Sequence, residues 1–149
     1  MIVKQSIKGI GTVMERADSY RMIQCVLSNP NGTLESGVTF RWTYDGDERI
    51  VGLVFDLLLD RYFLHNKTSI HTEVQEIARS TGCRPEEVVR AFACLSGIRL
   101  ESNHIAERFM TIEGAKISRQ GGIGVTVRFG GWLTYQLQQI CQREPMLSY

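Results

Sequence analysis

The chain has 149 residues, which is long enough for one domain with a buried core. Its apolar fraction of 43% and charged fraction of 22% are those of an ordinary globular protein, and a net charge of +1 gives no overall attraction to nucleic acid or to an anionic membrane. The four cysteines form no CxxC pair and the three histidines are not spaced with them as metal ligands, so we expect no zinc site and no disulfide framework. No apolar run approaches the roughly 18 residues of a membrane span and no secretory leader opens the chain, so the sequence predicts a cytoplasmic protein with reduced thiols and no membrane contact.

The first part of the chain, residues 1–46, is predicted to be rich in β-structure. Tyr20–Leu27 consists largely of strand formers, Ser28–Gly32 is typical of a turn, and Val38–Tyr44 alternates apolar or aromatic residues with threonine and arginine. Together they predict a β-meander of about three strands. Aromatic residues that alternate with arginine on a sheet can stack unpaired bases, but half-buried strands have the same pattern, so we expect the aromatic face to pack on the core.

A helix is predicted from Asp47 to His65. Its apolar residues recur at helical spacing, and most of its remaining positions are also apolar. A helix that is apolar on nearly all sides is usually buried on several sides or lies at a subunit interface. We therefore expect the central core helix here, and a homodimer interface at Val54, Leu58 and Tyr62.

The segment Ser69–Gly97 predicts a helix-turn-helix unit. Thr72 and Gln75 have the spacing of a capping box, which makes Thr72 the predicted N-cap of the first helix. Gly82 can supply the left-handed conformation that ends this helix, and Pro85 suits the first turn of the next one. Two short helices joined by a turn that contains glycine are the sequence form of a helix-turn-helix.

Strand-forming pieces and a closing helix follow this unit. They are Ile98–Glu101, Phe109–Ile112, Ala115–Ser118 and Ile123–Phe129, with a hairpin turn at Gln120–Gly122 and a helix over Trp132–Cys141. Residues 102–108 are compatible with a loop or with a short helix. A β-hairpin directly after the second helix is the wing of a winged helix. The predicted fold class is therefore α+β, a winged helix-turn-helix over 47–149 with an N-terminal β-meander over 1–46, in a single domain.

The predicted DNA contacts lie on the second helix of the unit and in the wing. In a helix-turn-helix the first turns of the second helix approach the bases of the major groove, whereas wing residues can bind the DNA backbone. Two glutamates, Glu86 and Glu87, also lie at this helix start, where they are expected to stabilise the helix N-terminus. With double-stranded DNA as the partner, the predicted contacts are Arg84, Glu87, Arg90, Lys116, Ser118, Arg119, Gln120 and Arg128.

The common catalytic and nucleotide-binding motifs are absent from the sequence. It has no GxxxxGK[ST], GxSxG or HExxH pattern, and the glycines of Gly121–Gly131 flank strand formers rather than opening a helix. We therefore expect a protein that is not an enzyme and that uses no cofactor and no metal.

The run EVQEIARSTGCRPEEVVRAFACLSGIRLES over 73–102, followed by KISRQGGIGVTVRF over 116–129 and a closing helix, resembles the winged-helix domain of plasmid replication initiator proteins. The shared features are the step Leu95–Ile98 after the second helix, the strand and hairpin that follow it, and the long helix that precedes the unit. The resemblance implies a dimer that binds repeated origin sequences. Family members usually carry two such domains and this chain has room for one, which leaves open a truncated initiator domain, a stand-alone repressor, or an accessory protein of a phage or plasmid.

Two functions from different classes remain open on the sequence. The first is a dimeric winged-helix DNA-binding protein of a plasmid or phage, acting in replication control or transcription regulation. The second is a non-catalytic module that uses the same fold to bind a host or replication protein. The helix-turn-helix and the basic wing favour the first, while the near-zero net charge and the Glu86-Glu87 pair favour the second.

Overall fold

The computed structural model describes residues 8–43, 47–65, 69–103, 105–117 and 122–141, which form a mixed α+β fold with two antiparallel sheets. The helices are α1 (Lys8–Ser28), α2 (Glu48–His65), α3 (Val74–Thr81), α4 (Pro85–Ser96) and α5 (Gly131–Cys141). The strands are β1 (Asn31–Thr33), β2 (Thr39–Arg41), β3 (Ser69–Glu73), β4 (Arg99–Ser102), β5 (Ile105–Arg108), β6 (Met110–Ile117) and β7 (Ile123–Phe129).

Sheet 1 has the strand order β1-β2-β4-β5, so it joins the N-terminal part of the chain to the segment that follows α4. Phe40 of β2 lies opposite Leu100 of β4, and both side chains are buried. The indole N–H of Trp42 donates a hydrogen bond to the Val26 carbonyl at 2.8 Å and so ties this sheet to α1. The prediction that the aromatic face of this strand packs on the core is confirmed for Phe40 and the half-buried Trp42, while Tyr44 lies outside the described residues.

Sheet 2 has the strand order β3-β7-β6 and packs beside α3 and α4. Its central strand alternates, with Val125, Val127 and Phe129 buried on the core side. In β6 a bulge lies between Glu113 and Lys116, at the point where Gly114 adopts a left-handed φ of 64°. The predicted strand pieces over 109–112 and 115–118 are thus one bulged strand as far as Ile117.

The N-terminal part corrects the predicted β-meander. Tyr20–Leu27 lies in α1, and only two three-residue strands, β1 and β2, follow it in this part of the chain as described. Ser19, Ile23 and Val26 are buried, and their spacing of three to four residues is the helical period. The strand propensity of the individual residues was therefore the weaker signal, because tertiary packing overrides it. The helix ends at Ser28 since Asn29, which precedes Pro30, is pushed out of the helical region.

The predicted start of the first helix of the helix-turn-helix is also wrong. Thr72, the predicted N-cap, lies in β3 opposite Val125, and the N-cap of α3 is the next residue, Glu73. The N-cap of α3 has no side-chain capping hydrogen bond, and the side chain of Gln75 accepts a hydrogen bond from the backbone N–H of Ile123 at 3.0 Å. The interaction fastens β7, the return strand of the hairpin, to α3.

A second hairpin separates α4 from the predicted wing. Residues 102–108, for which the sequence favoured a loop or a short helix, include strand β5, which pairs with β4 across a tight turn where Asn103 has a φ of 49°. Asparagine tolerates this left-handed conformation better than most residues. The hairpin β6–β7 therefore does not follow α4 directly, since the β4–β5 hairpin, which belongs to sheet 1, lies between them.

The long helix α2 is confirmed as a core helix. Val54, Leu58 and Tyr62, which the sequence places at a dimer interface, are 0%, 0% and 2% exposed within the single chain. They pack on the chain's own core and offer no surface to a second copy. The large apolar side chains that α2 does expose are Leu53, Phe63 and Leu64.

One continuous cluster of buried apolar residues joins both sheets and all five helices among the described residues. Helix α5, predicted over Trp132–Cys141, is confirmed and packs against α1. Within the described ranges, no helix is both long enough and apolar enough to cross a membrane.

Candidate nucleic-acid interface

The turn between α3 and α4 is built by backbone conformation. Gly82 has a φ of 72°, which ends α3, and the Cys83 N–H donates to the Ala78 carbonyl at 3.1 Å. Pro85 is the first residue of α4, where its missing N–H costs nothing. The sequence predicted both glycine and proline in these roles, and both predictions are confirmed.

Glu87 closes the N-terminus of α4. Its Oε1 accepts a hydrogen bond from the backbone N–H of Arg84 at 2.9 Å, and the Arg84 Nε lies 3.5 Å from the same oxygen. The backbone hydrogen bond from Arg84 is the main reason why the pKa of Glu87 lies below its ordinary value, with the charge of Arg84 adding to it. Glu87 thus stabilises the helix start, as the sequence predicts, and it balances part of the charge of Arg84.

The outward face of α4 is electrically balanced. Glu86, Val89 and Arg90 are exposed at positions that share one side of the helix, and the Val89 side chain is 46% exposed. One negative, one apolar and one positive side chain therefore meet solvent here. Any affinity of this face for phosphate depends on Arg90 and on the partly balanced Arg84.

Three of the predicted contact residues come together at a cleft between α4 and the start of α2. Arg84, Glu87 and Arg90 line it together with Asp47 and Ile50, and the cleft has a volume of about 360 Å³. The lining of this cleft thus combines two arginines, two carboxylates and apolar side chains, so its formal charges cancel.

The predicted contacts in the wing are spread along the hairpin. Lys116 pairs with Gly124 close to the hairpin turn, while Ser118, Arg119 and Gln120 lie outside the described residues. Arg128 pairs with Thr111 at the opposite end of the ladder, which is about 17 Å from the turn at the usual rise per residue. The Arg128 Nε also lies 3.3 Å from Glu113 Oε2. Arg128 belongs to the base of the hairpin, and its charge is partly balanced.

Sequence reasoning missed the residue that holds the unit to its core helix. Arg61 of α2 donates a hydrogen bond from Nη1 to the Thr72 hydroxyl at 2.6 Å and reaches Glu76 with Nη2 at 2.5 Å. One guanidinium therefore connects α2, β3 and α3, using the fork geometry that distinguishes arginine from lysine. Only the position of Arg61 on a core helix could have pointed to this role.

Comparison of the chain with protein-family models, with curated protein sequences and with solved structures finds no match. Within the part of the chain that the structure describes, no group of three or more His, Cys, Asp or Glu side chains is placed to hold a metal ion.

Proposed function

We propose that residues 48–129 form a winged-helix unit that binds double-stranded DNA through α4 and the hairpin β6–β7. The proposal rests on the order of the elements along the chain. Helix α2 is followed by strand β3, helices α3 and α4, and then the paired strands β6 and β7. The return strand β7 pairs with β3, so that the order in the sheet is β3-β7-β6. Winged helices have this order, with the β4–β5 hairpin as an insertion here.

The exposed start of α4 supports the same proposal. Arg84 and Arg90 reach solvent on the helix that follows the tight turn, which is the helix that enters the major groove in helix-turn-helix proteins. The basic residues proposed to contact phosphate are Arg84 and Arg90 at α4 and Lys116 in the hairpin. Binding should therefore weaken as salt is raised, with a slope set by these few contacts.

The test is the affinity for random duplex DNA across a salt series, with single alanine variants. We expect Arg90→Ala and Lys116→Ala to weaken binding, and Arg84→Ala to weaken it less because Glu87 already balances part of its charge. Arg21→Ala on α1 is the matched control, since it removes the same charge from an exposed side chain away from α4. Wild-type protein that fails to bind at low salt, or variants that all behave like the control, would contradict the proposal.

The resemblance to plasmid replication initiators extends the proposal to a role in replication control or transcription regulation of a plasmid or phage. A homodimer is part of this extension. Since Val54, Leu58 and Tyr62 are buried, a dimer would use exposed apolar positions such as Phe63 and Leu64 at the end of α2. Light scattering distinguishes a dimer from the monomer mass of 16.9 kDa.

A second candidate function is a module that binds a host or replication protein. The observation that favours it is the exposed Val89 between Glu86 and Arg90, because an apolar centre with a charged surround is typical of protein interfaces. Val89→Lys separates the two functions. It would raise the affinity for DNA if α4 meets phosphate, and it would abolish binding to a protein partner.

A further inference from the structure

The outer face of sheet 1 carries a row of arginines that the sequence pattern does not reveal. Arg41 of β2 lies directly opposite Arg99 of β4, and Arg99 lies directly opposite Arg108 of β5. All three side chains are exposed. Their neighbours in the sequence, Phe40 in β2 and Leu100 in β4, are buried in the core. With neighbouring strands about 4.8 Å apart, the row of three spans roughly 10 Å.

Such a row is unfavourable for the isolated protein. Like charges directly opposite each other on adjacent strands destabilise a sheet. Among the described residues, neither Arg41 nor Arg99 forms an ion pair, and the carboxylate on this face, Glu101, lies one row further along, opposite Thr39. Arg108 donates from Nη1 to the Ser96 carbonyl at 3.0 Å, which fixes its side chain without neutralising the charge. An anionic partner would relieve the repulsion along the whole row.

The residues around the row suit phosphate. Asn31 ends the row opposite Arg41, and Thr33 and Thr39, two residues further along their strands, face the same side. Part of this face forms a groove of about 370 Å³, which Arg41 and Arg99 line together with Asn31, both threonines and the carboxylate of Glu101, so that the groove carries one net positive charge. Guanidinium groups bind phosphate oxygens in a bidentate manner, and amide and hydroxyl side chains are common further donors to a nucleic-acid backbone.

The row also lies next to the proposed DNA-binding helix. Arg108 contacts the carbonyl of Ser96, the last residue of α4, and Arg99 begins the strand that follows that helix. We infer that the outer face of sheet 1 is a second phosphate-binding surface, which grips the backbone of the same duplex beyond the C-terminal end of α4. This inference rests on the proposed function for the identity of the ligand, and it adds a contact surface to which no sequence motif points.

The experiment measures the salt dependence of binding to duplex DNA for the full chain with Arg41→Thr and Arg99→Thr together. Threonine keeps the strand propensity of both positions. Each lost phosphate contact lowers the slope of log affinity against log salt by about 0.9, so the double variant should lose about 1.8, equally for every DNA sequence. The charge-preserving pair Arg41→Lys and Arg99→Lys is the matched control and should keep the slope. Thermal melting of each variant checks that the fold is intact.

The outcomes separate the two proposals. If wild-type protein binds DNA and the threonine variant has the same slope, the arginine row is not a contact surface while the function of α4 stands. If wild-type protein does not bind at all, both proposals fail. If the threonine variant keeps its DNA affinity but loses binding to phosphatidylserine vesicles, the row belongs to a lipid headgroup contact, and the inference is overturned.

Discussion

Gly130→Ala should destabilise the protein strongly, because the junction between β7 and α5 leaves no room for a side chain. A Cβ atom at this position would lie 2.0 Å from the Arg108 carbonyl oxygen and 3.0 Å from that of Phe109. Gly130 does not have a positive φ, so the steric clash alone decides the outcome. The obstacle is backbone rather than the end of a flexible side chain, so it cannot swing away.

The size of the stability loss depends on how firmly the backbone around the Arg108 carbonyl is held. The Phe109 N–H donates to the Ile98 carbonyl at 3.0 Å, and the Gly130 N–H donates to the Phe109 carbonyl at 2.9 Å, so both sides of the clash are held by hydrogen bonds. Overpacking typically costs 1–3 kcal/mol, and a distorted backbone hydrogen bond adds about 1 kcal/mol. We expect a loss of about 3 kcal/mol, which lowers the Tm of a chain of this size by roughly 6–12 °C.

The neighbouring glycine provides the matched control. A Cβ at Gly131 would meet the Glu107 carboxylate oxygens at 3.6 and 3.7 Å, which is ordinary contact, and alanine is the better helix former. Gly131→Ala should therefore leave the Tm unchanged or raise it slightly. Thermal and urea unfolding of both variants decide the matter. Equal effects of the two substitutions would refute the account of this junction.

Three further predictions concern charged side chains. Arg61→Ala should lower the free energy of unfolding by about 1–2 kcal/mol in urea, because the buried Thr72 hydroxyl loses a charged donor; an unchanged urea midpoint would refute this. The pKa of Glu87 is lowered in the folded state by the backbone N–H of Arg84, so its contribution is present above the ordinary value of 4.5 and is lost as the pH falls through the lowered pKa. The Tm difference between wild type and Glu87→Gln should therefore be present at pH 7 and should vanish in strong acid. Arg99→Thr should raise the free energy of unfolding at low salt by up to about 1 kcal/mol, and so raise the Tm, because it removes a repulsive charge from the row. The gain should shrink at high salt, which screens the repulsion. A lower Tm at low salt would mean that the arginines of the row do not repel each other.

Elements with a strong local signal could be predicted from the sequence. Helix α2 follows from its apolar periodicity, and the turn between α3 and α4 follows from Gly82 and Pro85, whose backbone preferences act without help from distant residues. The role of Glu87 in stabilising the N-terminus of α4 could also be predicted, because its partner, Arg84, lies only three residues away in the sequence.

What the sequence misses depends on contacts that are distant along the chain. The residues Tyr20–Leu27 favour strands individually, but Ile23 and Val26 bury a helical face because α5 and α2 pack there. Likewise, the arginine row exists only because the register aligns Arg41 with Arg99, which lies 58 positions later. Pairing between distant strands is fixed by the whole core and has no local signature.

The central claim is that α4 and the hairpin β6–β7 bind duplex DNA, and amide chemical-shift mapping tests it most directly. Duplex DNA titrated into labelled protein at low salt should shift the amides of 84–90 on α4 and of 116–128 in the hairpin. The chemical shifts of the amides of α1 and α5 should not change. No shifts at any DNA concentration, or shifts confined to α1 and α5, would contradict the account.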